Sequence, residues 1–97
     1  MNMQSNEPIR GEKLGQMISE ELSDILQKYI TKNDRAEIAA ITGVGFHTVM
    51  KVITRGNTLS RNNSKAVVEM IKLAIVRCDE SIIDAGLAKQ KLTAYIE

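Results

Sequence analysis

The chain has 97 residues, 43% of them hydrophobic, which fits one domain, is too short for two independent cores and argues against disorder throughout. Its single cysteine, Cys78, excludes an intramolecular disulfide and a cysteine metal cluster, and its longest apolar runs, residues 38–41 and 73–76, are far too short to span a bilayer. The net charge of +1 is unevenly spread: residues 1–30 carry −2, residues 31–65 carry +4 and residues 66–97 carry −1, so the middle third is a candidate polyanion footprint.

Residues 1–10 are polar and hold the only proline, and they read as a disordered arm. They lack the basic-then-apolar order of a secretion signal, so the expected location is cytoplasmic. From Gly11 or Glu12 onward, Leu14, Met17, Ile18, Leu22, Ile25, Leu26 and Tyr29 recur every three or four residues. That spacing predicts a first helix ending near Thr31. Lys32-Asn33 reads as a break. Asp34-Arg35-Ala36-Glu37 then has the form of a capping box opening a second helix that runs to Ile41 or Thr42. Gly43-Val44-Gly45 interrupts it, and residues 46–54 resume a helical pattern with Val49, Val52 and Ile53 facing inward. Gly56 is placed to supply the left-handed residue that ends this third helix.

Leu59 is the one apolar residue of the loop 57–63 and is expected to pin it to the core. A fourth helix starts between residues 60 and 64 and carries the stripe Val67, Met70, Ile71, Ala74 and Cys78. After residues 79–81 come Ile82-Ile83 and then Gly86, and a weaker helical pattern follows through Leu87, Leu92, Tyr95 and Ile96. The expected architecture is therefore all-α: a compact fold of four to five helices, four of them in a domain over residues 11–78, with a C-terminal helical tail, 79–97.

The region 35–54, RAEIAAITGVGFHTVMKVIT, carries a tighter signal. Ala39 is small where two helices must approach. Gly43, four residues later, suits a turn that needs positive φ. Val44 plugs the corner, and Ile38, Val49 and Val52 close a small core against the first helix. This stretch resembles the helix-turn-helix of the lambda-repressor-like superfamily, and residues 43–53 are particularly similar to the lac-repressor type. Thr42 and Gly45 depart from it, standing where that family usually has an apolar residue and a capping serine. The resemblance implies a protein that binds double-stranded DNA in a sequence-specific way and regulates transcription, with the helix at 46–54 lying in the major groove.

By that resemblance, Phe46, His47 and Thr48 read base edges, and Lys51 reaches a guanine or a phosphate. Histidine can donate to guanine N7 or O6, and a phenylalanine can pack on a thymine methyl. Arg35, Thr54, Arg55, Asn57 and Arg61 are the expected phosphate contacts, with Thr58 and Asn63 beside them. Such contacts give affinity and register without reading sequence. Phe46 has a competing reading as core, completing the corner with Val44. Proteins of this kind often bind as dimers, and Ile82, Ile83, Leu87, Leu92 and Tyr95 are apolar residues left over for a homodimer surface. The alternative is that they fold back as a fifth helix on the same core.

An enzyme is not expected: one histidine, one cysteine and no glycine-rich phosphate loop leave nothing to assemble a catalytic pocket. No cofactor, metal or small-molecule substrate is implied, and no membrane. The alternative function is a non-enzymatic protein-interaction module of the same fold, of the mobile-element or antitoxin kind.

Overall fold

A computed structural model describes residues 7–96, and these are all-helical, with no strand among them. The helices are α1 (Glu20–Tyr29), α2 (Lys32–Thr42), α3 (Phe46–Ile53) and α4 (Ser64–Ile96). The core is aliphatic. Ile18, Leu26, Ile30, Val44, Val49, Val52, Ile53, Leu59, Val67 and Met70 are fully buried where α1, α2 and α3 meet the first half of α4.

The first helix begins well after residue 11. Residues 11–19 form a turned loop instead, with positive φ at Gly11 (82°) and Gly15 (85°). Leu14, Met17 and Ile18 have helical spacing, but the loop is held by other bonds. The Glu12 carboxylate accepts from the Ser19 amide at 2.9 Å. Gly15 N–H donates to Leu59 O and Leu59 N–H donates to Gln16 O, each at 2.8 Å. Ser19 is the N-cap, its hydroxyl accepting from Leu22 N–H at 3.2 Å. Of the segment read as an arm, Ile9 packs against the core, and residues 1–6 lie outside the described part of the chain.

The start of α2 also differs from the expected one. The break falls at residues 30–31, and Thr31 is the N-cap; Asp34 is the third helical residue, not the cap. Thr31 N–H donates to Asp34 Oδ2 at 2.7 Å, and Asp34 N–H donates to Thr31 Oγ1 at 3.2 Å. The reason is a partner distant in sequence. Arg77, on α4, grips both oxygens of Asp34, with Nη2 donating to Oδ1 at 2.9 Å and Nη1 to Oδ2 and to Tyr29 O. The Arg77 hydrogen bonds are the main reason the Asp34 carboxyl sits far below the ordinary carboxylate range, against a smaller opposing push from burial. Asp34 in turn raises Arg77.

The tail is not a separate fifth helix. Helix α4 runs unbroken for 33 residues through Gly86, about 50 Å at 1.5 Å per residue, and the molecule's longest dimension is 57 Å. Every residue from Asp79 to Ile96 is exposed, so the expected alternative of a fold-back onto the core is not what the chain adopts. A mid-helix glycine costs about 1 kcal/mol relative to alanine, too little to break a helix already nucleated by packed turns. No helix of the described residues is long and apolar enough to cross a membrane.

Candidate nucleic-acid interface

Helices α2 and α3 meet at a turn that the sequence dictates residue by residue. Gly43 caps α2 in the left-handed conformation at φ 77°, its N–H donating to Ala39 O at 2.9 Å, and Val44 is 2% exposed beneath it. Thr42 satisfies its hydroxyl locally by donating to Ile38 O at 2.7 Å and accepting from Val44 N–H at 3.3 Å. Gly45 is the N-cap of α3 and offers no side-chain bond.

The inner face of α3 is fixed by Val49, Val52 and Ile53, none of which has measurable exposure. A buried bond adds to this grip: Ser23 Oγ on α1 donates to Ile53 O, the last carbonyl of α3, at 2.6 Å. The helical period then decides what remains outside. His47, Lys51 and Thr54 stand exposed along one stripe, and Thr48 and Met50 are half-buried at its borders. Phe46 is half-buried and packs against the core, as its alternative reading allowed, and its ring meets His47 edge-on with centroids 5.9 Å apart.

The residues expected at phosphates divide into two groups. Asn57 and Arg61 are exposed on the loop after α3 and, among the described residues, Lys51 and Arg61 form no ion pair. Thr54 is exposed too, with its hydroxyl donating to Met50 O at 2.9 Å. Arg35 and Arg55, in contrast, have donors committed to the protein. Arg35 Nη1 donates to Met50 Sδ at 3.3 Å and Nη2 to Ile30 O at 3.4 Å, while its Nε is buried with no partner. Arg55 Nε donates to Ile18 O at 2.7 Å, and Nη1 lies 3.6 Å from Glu20. Asn63 is buried: its Oδ1 accepts from Ser60 N–H at 2.7 Å and its Nδ2 donates to Thr58 O at 2.9 Å.

The end of α3 corrects another expectation. The left-handed residue is Arg55, at φ 63°, not Gly56. Gly56 N–H bonds Lys51 O at 2.7 Å and Arg55 N–H bonds Val52 O at 3.3 Å, the paired bonds of a Schellman ending. Positive φ is uncommon for a non-glycine residue; here the bond from Arg55 to Ile18 holds it. Neither this nor the pairing of Asp34 with Arg77 leaves a local sign in the sequence, because in each case the partner lies tens of residues away.

The apolar residues of the tail, Ile82, Ile83, Leu87, Leu92 and Tyr95, are 55–85% exposed. Closer to the core, a groove of about 310 Å³ runs between α2 and α4, its walls including Ile38, Ile41, Leu73 and Val76 and its rim Glu37, Glu69 and Lys72. Among the described residues no group of His, Cys, Asp and Glu could hold a metal ion. No family model, no curated protein and no solved structure matches the chain.

Proposed function

We propose that the chain is a sequence-specific regulator that binds double-stranded DNA by laying α3 in the major groove. The observation that supports this reading is the two-sidedness of α3. Its inner residues are locked into the core, while His47, Lys51 and Thr54 form an open outer stripe on a helix of eight residues. In this role His47 donates to a guanine edge, and Thr48 and the uncovered part of Phe46 border the same contact. Lys51 meets a guanine or a phosphate, and Thr54, Asn57 and Arg61 meet the backbone. Arg35 and Arg55 serve mainly to position α3, because each already spends part of its guanidinium on the protein.

Titration of the full chain with duplexes selected from a random library tests the proposal. Affinity should fall steeply with salt, and Lys51→Ala should reduce the slope by about one unit if Lys51 meets a phosphate. Changing His47 should relax sequence preference without altering the slope. Binding that ignores salt, or no selected sequence at all, counts against DNA.

One observation favours a second reading, a protein-interaction module. Ile41 is 77% exposed and forms one wall of the apolar groove between α2 and α4, a shape suited to an apolar segment of another protein. Under that reading Ile41→Asp abolishes partner binding, whereas the salt slope on DNA is absent from the start.

A further inference from the structure

We propose that two copies of this chain pair through α4, side by side and antiparallel. The inference is independent of the nucleic-acid reading and begins from the spacing of residues on the tail. Cys78, Ile82, Ala85, Lys89 and Leu92 recur at intervals of four, three, four and three. The series continues back to Ile75 and Ile71 and forward to Ile96. That is the seven-residue repeat of a two-helix seam, with one polar position. Every member from Ile82 onward is exposed, and Ile75 is 57% exposed. A helix that leaves its own core with such a stripe uncovered needs a partner to bury it.

The chain itself supplies the complement. A groove of about 300 Å³ lies between α1 and α4, and its apolar walls are built from Leu22, Ile25, Ile71 and Ile75. An antiparallel seam places the first position of each repeat opposite the fourth of its neighbour. Ile82 then faces Ala85 of the second copy, Cys78 faces Lys89, Ile75 faces Leu92 and Ile71 faces Ile96. The apolar end of each tail therefore arrives at the mouth of the other copy's groove. The overlap, residues 71–96, is about 39 Å of helix. The arrangement is self-complementary, as a two-fold pair requires.

Charge selects the direction. The tail is acidic in its first part, at Asp79, Glu80 and Asp84, and net basic in its last, where Lys89 and Lys91 outnumber Glu97. A parallel, in-register pair sets Lys89 against Lys89 on the axis, like charges in a desolvated seam. The antiparallel pair moves each Lys89 to the layer of Cys78, next to Asp79 of the second copy. Ile83 and Leu87, although apolar and exposed, fall on the outer side of the helix, away from this seam.

Cys78 provides the test. In the antiparallel pair the two Cys78 residues are offset by about 16 Å along the axis, beyond the reach of a disulfide. Sedimentation of the full chain at micromolar concentration should give a dimer, and mild oxidation should leave it uncrosslinked. Lys89→Cys should crosslink to the native Cys78 of the second copy, and should lose that crosslink when combined with Cys78→Ser. Ile82→Asp should raise the dimer Kd by at least about 30-fold, whereas Ile83→Asp should leave it within about 3-fold. Neither change touches the folded core, because the tail contributes nothing to it, and a melting transition equal to the parent's in samples dilute enough to be monomeric checks this. A monomer at all concentrations overturns the proposal. So does a disulfide through native Cys78, which marks a parallel pair, or dissociation by Ile83→Asp in place of Ile82→Asp.

Discussion

Helix α4 spans two regions that differ in almost every physical respect. Its first half, up to Cys78, belongs to a head whose core holds fourteen buried apolar residues among those described, while residues 79–96 bury none. The head's other helices are short, eight to eleven residues, and alone would be marginal in water. They exist because tertiary packing rewards them. The tail is helical for the opposite reason: it inherits a nucleus from packed turns and extends at little cost per residue. Helical periodicity in a sequence therefore reports on two things, a face that is already covered and a face still waiting for its cover.

Substitutions separate the two regions by size of effect. Leu26→Ala, in the centre of the head, should lower unfolding free energy by about 2–5 kcal/mol, read by urea denaturation. Leu87→Ala in the tail should change it by less than about 0.5 kcal/mol. Equal effects at the two positions would erase the distinction.

Asp34→Asn should cost about 1–3 kcal/mol, because it weakens both the α2 cap and the grip of Arg77 on the root of the tail. Since folding lowers the Asp34 carboxyl, its contribution is present in full above the unfolded carboxyl's range, about pH 4. It is lost progressively as the pH falls below that range toward the folded value. The variant should accordingly show a flatter decline in melting temperature below about pH 4 than the parent.

The two glycines sharpen the contrast at a smaller scale. Gly43→Ala forces a left-handed alanine and should destabilise the head by about 1–2 kcal/mol, measured by thermal melting. Gly86→Ala has nothing within 4 Å of the added methyl and should stabilise the tail helix by about 0.5–1 kcal/mol, seen as slower amide exchange over residues 79–96.

The turn at Gly43 and the inward face of α3 were legible in the sequence because their determinants are local: a glycine, a buried valine after it, and apolar residues three apart. The all-helical class was legible for the same reason. What escaped reading was set by partners at a distance. Nothing near Asp34 says that Arg77 will claim it and pass the capping role to Thr31. Nothing near Arg35 or Arg55 says that their guanidinium groups turn inward, so the positive charge of the middle third overstates what the surface displays. The start of α1 was misplaced because Leu14, Met17 and Ile18 keep helical spacing inside a loop, where Gly15 and the bonds to Leu59 set the backbone. Gly86 looked like punctuation but lies in a helix that has no competing structure to adopt.

The reciprocal amide bonds between Leu59 and residues 15–16 have a thermodynamic consequence for the segment that follows α3. With Leu59 anchored and Asn63 spent on Ser60 and Thr58, the stretch bearing Asn57 and Arg61 has already surrendered its freedom in folding. An anion that docks there pays little for ordering the backbone, so each weak contact converts more fully into binding than it would on a loose strand.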